Sequence, residues 1–210
     1  MRTMATAVCS RPGGPRDHRS AGQRPRSSPR SPALVVASGA FDYYLLSLSW
    51  SPEFCAEQSV GPHGPQCEAH RHFAFVVHGL WPQDEFGGYP QHCSSTEHLD
   101  DATINDMLDI MPSAHLIEHE WRTHGSCSGL RPDTYFGRIR QAFSAVKIPD
   151  RYHHPERAFG VTAAAVRDEL QAANPSVPAA AIAVLCQGHF LAEVRLCASK
   201  DDLSFRPCGK

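Results

Sequence analysis

The alternation of apolar and polar positions predicts several strands along the chain. Between positions 44 and 50, apolar side chains alternate with smaller or polar ones, a pattern typical of a strand with one richer face. An apolar run over positions 72–77 predicts a second, buried strand that ends directly before His78. Two later apolar runs, at 181–186 and 190–197, are separated by a short turn-forming stretch and therefore predict a hairpin.

Apolar residues recur at helical spacing in the stretches between these strands. The predicted helices cover positions 99–110, 114–124, 134–147 and 162–173. Because strands and helices do not alternate strictly, the pattern favours an α+β domain over a doubly wound fold. We therefore predict a single α+β domain over residues 41–210, with a central antiparallel sheet that is flanked by helices.

The first forty residues differ in composition from the rest of the chain. Up to about position 31 they are rich in Arg, Pro, Ser and Gly and contain no Phe, Tyr or Trp, so this tract cannot bury enough apolar surface to fold. A run of apolar or small residues over 33–40 follows, and it is too short to span a membrane. It ends in Ser38-Gly39-Ala40, as a signal peptide does, with Phe41 as the first mature residue. A disordered leader and a signal-like segment fit residues 1–40 equally well.

The formal net charge of the chain is −2. The broad basic surface that duplex-binding proteins use is therefore not expected, and a DNA-binding module is disfavoured. An enzyme that holds one or two nucleotides in a cleft needs no such surface, so this class of function stays compatible with the charge.

Eight cysteines are spread along the chain, and no two of them form a C-x-x-C pair. This spacing argues against a zinc ribbon and against a thioredoxin-like redox centre. An even number of widely spaced cysteines favours a disulfide framework and an oxidising compartment. Reduced, buried cysteines in a cytosolic protein are compatible with the composition as well.

Two short segments carry most of the chemistry-bearing residues: HGLWP at 78–82 and HEWRTHGSC at 119–127. On a helix, Glu120 and His124 share a face, so Glu120 is expected to orient the His124 imidazole and to raise its pKa. His119 and His124 are five residues apart and diverge by about 140° around the helix axis. Zinc-protease histidines are four apart, so this spacing disfavours a metal site.

These residue types suit the cleavage of RNA, which supplies its own nucleophile in the 2′-hydroxyl. One imidazole removes the hydroxyl proton while another protonates the departing 5′ oxygen, and neither transfer needs a metal or another cofactor. Trp81 offers a face on which a base can stack, a contact that contributes about 1–3 kcal/mol per base. The alternative role of Trp81 is core packing beside Pro82, and for Trp121 we predict core packing.

The two motifs, in this order and at this separation, resemble the ribonuclease T2 family, the secreted acid endoribonucleases. The likeness covers most of residues 43–208, from YLLSLSW to the LAEVRLC ending. It implies an α+β fold, no metal, and cleavage of single-stranded RNA through a 2′,3′-cyclic phosphate, a lyase-type step. It also implies roles, which are His124 as general base, His78 as general acid, Glu120 as support for His124 and the phosphate, and His119 as a phosphate ligand.

The resemblance extends to the stretch that follows the first motif. It implies that Trp81 and Tyr89 sandwich the base and that Gln83 reads the base edge, at a position where many members carry aspartate. Because an amide side chain presents both a donor and an acceptor, we predict low base specificity.

The resemblance also implies a set of disulfides. Its half-cystines pair Cys55 with Cys67, Cys93 with Cys127, and Cys197 with Cys208. The partner of Cys186 stays open, and Cys9 belongs to the leader and is expected to lie outside this framework.

One position departs from the family pattern. The family usually has lysine directly before the second catalytic histidine, and this chain has Thr123 there. Arg122 is a poor substitute because it lies about 160–200° around the helix axis from Glu120 and His124. Loss of one charge that acts on the transition state costs on the order of 2–4 kcal/mol, so we predict a slower enzyme that is still active.

The leading interpretation is a secreted or periplasmic endoribonuclease that acts as a monomer, with single-stranded RNA as its partner and no membrane span. A catalytically weak relative that binds RNA without turnover is the main alternative, and Thr123 is the residue that favours it. A metal-dependent hydrolase is the third interpretation and is disfavoured by the histidine spacing.

Overall fold

A computed structural model describes the chain over residues 7–10, 39–57, 64–68, 72–153 and 159–209. The strands are β1 (Ala7–Ser10), β2 (Tyr43–Trp50), β3 (Phe75–Gln83), β4 (Phe159–Thr162), β5 (Ile182–Gln187) and β6 (Phe190–Ser199). The α-helices are α1 (Ser51–Glu57), α2 (Asp101–Met107), α3 (Ala114–Thr123), α4 (Pro132–Ser144) and α5 (Ala163–Ala173). Short 3₁₀ helices cover Pro65–Cys67, Gly125–Cys127, Asp150–His153 and Ala179–Ala181.

One sheet organises the domain, with the strand order β3-β2-β6-β1-β4 and with β5 paired to β6. Strand β2 is antiparallel to both of its neighbours, β3 and β6, and β5 forms the expected hairpin with β6. The one parallel pair among the described strands joins β1 to β4. The predicted α+β class with a central antiparallel sheet is therefore confirmed.

Little of the predicted leader falls within the described residues. Four of its residues form β1, which pairs with β4, and Gly39 donates a backbone hydrogen bond of 2.8 Å to the Cys127 carbonyl. The remainder of positions 1–38 lies outside the described residues, so the division into a leader over 1–40 and a catalytic domain over 41–210 stays a prediction.

Local sequence signals set the helix starts. Ser113 caps α3 by accepting a hydrogen bond from Leu116 N, and Thr162 caps α5 by accepting one from Ala165 N. Both helices match their predicted ranges closely. Helix α2 is shorter than predicted and ends at Met107, after which the Leu108 amide donates to the Asn105 carbonyl three residues back and the chain leaves the helix. Helix α1, β1 and β4 were not predicted, since each is short and lacks a long apolar period.

The core lies where the richer face of β2 packs against helices. Leu46, Leu48 and Trp50 are fully buried, as the alternation of β2 predicts. Phe136 and Ile139 of α4 join them in a single apolar cluster. The opposite face of β2 carries Ser47, which is fully buried and donates a hydrogen bond from Oγ to Glu193.

Three disulfides join pairs of cysteines whose side chains are described, and all three predicted pairs are confirmed. They join Cys55 to Cys67, Cys93 to Cys127, and Cys197 to Cys208. Cys186 is disulfide-bonded as well. The side chain of Cys9 lies outside the described residues, so its expected position outside the framework is untested.

Within the described ranges, every helix is too short or too polar to cross a membrane.

Candidate active site

The first motif lies within β3 and does not follow it. The predicted strand ended before His78, whereas the observed strand continues to Gln83. That prediction was wrong because a β-bulge interrupts the ladder: Ser47 pairs with Gly79 and Leu48 with Val77, which leaves His78 as the extra residue. A bulge re-aims a side chain without ending the strand, and bulges are common beside active sites.

The bulge brings the His78 imidazole to the face that carries Trp81. The two ring centroids are 5.1 Å apart in an edge-on arrangement. His78 Nε2 lies 3.9 Å from a carboxylate oxygen of Glu120 on α3. The next proline, Pro82, is tolerated in the strand because β3 is the edge of the sheet.

Glu120 is held inside the protein by the indole of Trp81. Its side chain is only 1% exposed, and Trp81 Nε1 donates a 2.8 Å hydrogen bond to Glu120 Oε2. Gly79 leaves the space for this bond, because a Cβ at that position would overlap both partners and lie 2.8 Å from Glu120 Cδ. The absence of a side chain at Gly79 is therefore a requirement of the site.

His124 lies at the C-terminal end of α3, where the helix gives way to a 3₁₀ turn. Its ring centroid is 5.3 Å from that of Trp81 and 6.2 Å from that of Tyr89. Its Nδ1 atom is buried and has no hydrogen-bond partner among the described residues. The next residue, Gly125, packs closely against the Trp121 ring, because a Cβ at that position would lie 2.5 Å from a ring carbon.

The Glu120 carboxylate lies beside His78, whereas the sequence predicted it beside His124. We expected it to orient His124 and raise its pKa, but its carboxylate faces Trp81 and His78. Burial, with the nearby His119, His78 and His92, instead lowers the pKa of His124 to about 4. The prediction failed because helix spacing places two residues on one face but does not say which way their side chains turn.

The other pKa shifts in the site also arise first from burial. Burial raises the pKa of Glu120 to about 8, which the Trp81 hydrogen bond opposes and the charge of Glu193 supports. Burial also lowers the pKa of His78, an effect that Glu193 opposes and that Arg195 and His119 reinforce. Burial therefore favours the uncharged forms of the Glu120 carboxyl group and of both imidazoles.

His119 and the residues beside His124 differ in exposure. His119 is exposed and lies close enough to His78 and His124 for its charge to lower the pKa of both. Thr123 is buried, and its hydroxyl has no hydrogen-bond partner among the described residues. Arg122 is exposed and its Nε donates to the Glu118 carbonyl at 3.4 Å, which agrees with its expected position away from the site.

The predicted base-binding residues lie at the end of β3 and in the loop beyond it. Gln83 is half-buried, and its amide nitrogen donates to the Pro82 carbonyl at 2.9 Å. Tyr89 is 51% exposed, and Phe86, which the sequence analysis did not single out, is 89% exposed at the loop tip. The Cys93–Cys127 disulfide ties this loop to the end of α3 and so keeps Tyr89 near His124.

Sequence reasoning missed two charged residues of the site, Glu193 and Arg195 on β6. Arg195 Nε donates to Glu193 Oε1 at 2.9 Å, and its guanidinium carbon is 5.1 Å from the centroid of the Trp81 ring. Ser47 on β2 donates from Oγ to Glu193. The available signal was two charges at alternate positions of a strand that is otherwise apolar.

Among the described residues, no group of three or more His, Cys, Asp or Glu is arranged to hold a metal ion. The site thus unites His78, Glu120, His124 and Trp81 in direct proximity, with His119 and Tyr89 at its edges.

Comparison with known proteins identifies related sequences and folds. The model of the Ribonuclease T2 family matches residues 41–208. A protein named ribonuclease from Aeromonas hydrophila is 35% identical over 180 residues, which cover 82% of this chain and 78% of that protein. A probable ribonuclease from Haemophilus influenzae is 35% identical over 136 residues, 59% of this chain and 50% of that protein.

Solved structures with the same fold are more distant in sequence. Ribonuclease MC1 from bitter gourd seeds superposes with a TM-score of 0.62 at 22% identity, over 80% of this chain and 94% of that one. An RNase-related protein from Calystegia sepium also gives 0.62, at 20% identity over 81% and 91% of the two chains. At this identity these structures show the fold alone.

Proposed function

Since the chain belongs to the ribonuclease T2 family and is an endoribonuclease, we propose that it cleaves single-stranded RNA without a metal, through a 2′,3′-cyclic phosphate. The observation that carries this mechanism is the position of two imidazoles beside one indole. The rings of His78 and His124 lie 5.1 and 5.3 Å from that of Trp81, within reach of one phosphate.

The two histidines divide the proton transfers. In the first step His124 takes the 2′-hydroxyl proton, the 2′ oxygen bonds to phosphorus, and the bond to the 5′ oxygen breaks as His78 protonates it. Water then opens the cyclic phosphate with the two roles exchanged. The low pKa of His124 supports its role as the base, because a buried imidazole at mildly acidic pH is ready to accept a proton.

Glu120 and His119 serve the phosphate in this proposal. One Glu120 oxygen accepts from Trp81, and the other faces His78. With its pKa raised to about 8, Glu120 carries a proton at the working pH and can donate it in a hydrogen bond to a phosphoryl oxygen. His119 is exposed beside these groups and meets the phosphate as the RNA enters.

We propose low base specificity for the nucleotide at the cleavage site. Trp81 and Tyr89 both contact the His124 ring, so a base between them would lie beside the general base. Gln83 is the last residue of β3, two positions beyond Trp81, and an amide can offer both a donor and an acceptor to a base edge. A carboxylate there would select for donors only, whereas an amide does not.

One digestion tests the proposed function. Mixed-sequence single-stranded RNA is incubated with the protein in EDTA, and the products are read for 2′,3′-cyclic phosphate ends and for the positions of the cuts. We expect cleavage with cyclic ends after all four bases. Loss of activity in EDTA would point to a metal-dependent hydrolase. RNA that stays intact and bound to the protein would point to an RNA-binding relative without turnover. Cuts after a single base would contradict the proposed role of Gln83.

The pH dependence of kcat/KM follows from the two histidines. We expect a bell with its maximum between about 4 and 6.5, because His124 must be unprotonated and the burial-lowered pKa of His78 must still allow protonation. Activity falls below the His124 pKa as the base is lost, and it falls above the His78 pKa as the acid is lost. Initial rates at constant ionic strength measure the profile, with circular dichroism as the control for folding. A maximum above pH 7 would contradict this assignment.

We further propose that residues 41–210 form the catalytic domain and that the protein acts as a monomer in the periplasm or outside the cell. The three disulfides among the described residues support an oxidising compartment.

A further inference from the structure

We propose that Arg195 is a further catalytic residue, whose guanidinium binds the phosphate that is being cleaved. This proposal rests on the proposed function of the site. It comes from three observations: the place of Arg195 in the sheet, the way in which Glu193 orients its guanidinium, and the uncharged side chain of Thr123 directly before His124.

Sheet register places Arg195 on the face that carries the site. Arg195 of β6 pairs with Ser47 of β2, and Ser47 pairs with Gly79 of β3. Residues that lie directly opposite each other project from the same face, and two strand spacings amount to about 10 Å. An arginine spans most of that distance, and its guanidinium carbon lies 5.1 Å from the centroid of the Trp81 ring.

Glu193 binds the Nε and Nη2 atoms of the Arg195 guanidinium and leaves the Nη1 atom available to a ligand. Arg195 donates from Nε at 2.9 Å and from Nη2 at 3.3 Å to the two oxygens of Glu193. The Ser47 hydroxyl donates a hydrogen bond to the same carboxylate. Arg195 Nη1 donates no hydrogen bond to any described residue, and the side chain is 31% exposed. A planar guanidinium fixed in this way presents the remaining donors to an anion in a set direction.

Cleavage of RNA needs a positive charge beside the phosphate. The phosphate gains negative charge as the 2′ oxygen attacks, while burial disfavours the charged forms of His78, His124 and Glu120. Thr123 brings no charge, and Arg122 donates to the Glu118 carbonyl on the outside of α3. Among the described arginines, Arg195 is the one in contact with a ring of the site, and a rigid fork of donors matches a phosphate better than a single ammonium does.

The test is Arg195→Gln, with Arg195→Lys as the conservative variant. We expect kcat for RNA cleavage to fall about 100-fold in Arg195→Gln and to recover in part in Arg195→Lys, by comparison with the loss of one transition-state donor. Arg138→Gln is the matched control, because Arg138 is also half-buried but donates to the Lys200 and Asp201 carbonyls away from the site. We expect that control to change kcat less than about 3-fold.

Binding of inorganic phosphate gives a second measurement that does not need turnover. Phosphate is titrated into each protein, and the imidazole resonances of His78 and His124 are followed by NMR. We expect the dissociation constant to rise at least about 10-fold in Arg195→Gln and to stay unchanged in Arg138→Gln. The double variant Glu193→Gln/Arg195→Gln removes the negative charge that would otherwise lose its ion-pair partner, so it decides the result if Arg195→Gln fails to fold.

The two measurements separate this proposal from the function on which it rests. If the folded Arg195 variants have the kcat and the phosphate affinity of the wild type, the role of Arg195 is overturned. The endoribonuclease mechanism is then left intact. A wild-type protein that binds phosphate through Arg195 but releases no cyclic phosphate would support the anion site and contradict the proposed mechanism.

Discussion

Replacing His124 with alanine is expected to lower kcat for RNA cleavage by about 10²- to 10⁴-fold, and His78→Ala by a similar factor. Each variant removes one of the two proton transfers and leaves the phosphate and base contacts in place. The double variant should be little slower than either single one, because the effects of removing an acid and a base that act in one step are not additive. His115→Ala is the matched control, since His115 is exposed on the same helix as His124 and lies in its first turn.

A substrate with a good leaving group separates the two roles. Uridine 3′-(4-nitrophenyl phosphate) releases an anion that needs no proton, so its cleavage requires the base but not the acid. We expect His78→Ala to cleave this substrate nearly as fast as the wild type and His124→Ala to remain slow. The opposite pattern would exchange the assigned roles, and equal losses in both variants would contradict the assignment of a single general acid.

Gly79→Ala is expected to abolish most of the activity and to lower the free energy of unfolding by about 1–3 kcal/mol, the usual cost of overpacking. The added methyl would overlap the Glu120 carboxylate and the Trp81 indole nitrogen, so their hydrogen bond cannot survive in its present form. Separation of these two groups would also move Glu120 relative to His78, which it approaches at 3.9 Å. The loss should therefore appear in kcat as well as in stability.

Gly137→Ala is the control for this substitution. Gly137 lies within the exposed part of α4, and a Cβ there would meet no atom within 4 Å. We expect it to raise the free energy of unfolding by about 0.5–1 kcal/mol, as alanine does in a helix, and to leave kcat unchanged. Urea unfolding followed by tryptophan fluorescence measures both proteins. Full activity in Gly79→Ala would show that the Glu120–Trp81 bond does not support catalysis.

Much of the fold follows from local patterns that a sequence displays directly. The alternation over β2, the capped starts of α3 and α5, and the hairpin of β5 and β6 all depend on neighbours a few residues apart. Strand β3 was harder to predict, because its pattern changes at His78, where the bulge adds a residue that no alternation accommodates. The strands β1 and β4 are four residues each, too short for any period to be visible.

The motifs around His78 and His124 are visible in the sequence, and their resemblance to a family is the source of the proposed acid and base roles. The sequence also determined the three disulfide pairs that the structure confirms, through the resemblance of its half-cystines to a family. Only the tertiary structure decided which histidine Glu120 accompanies. Helix spacing constrains neighbours on one element, but the Trp81 indole that turns Glu120 towards His78 comes from another strand.

Tertiary structure alone also brought Arg195 to the site. Arg195, Ser47 and Gly79 are far apart along the chain, and no motif joins them. They stand in one row because Arg195 of β6 pairs with Ser47 of β2, and Ser47 pairs with Gly79 of β3. Short segments therefore show which residue types are available for the chemistry. Strand pairing decides which distant charges lie beside them, and no single segment shows that.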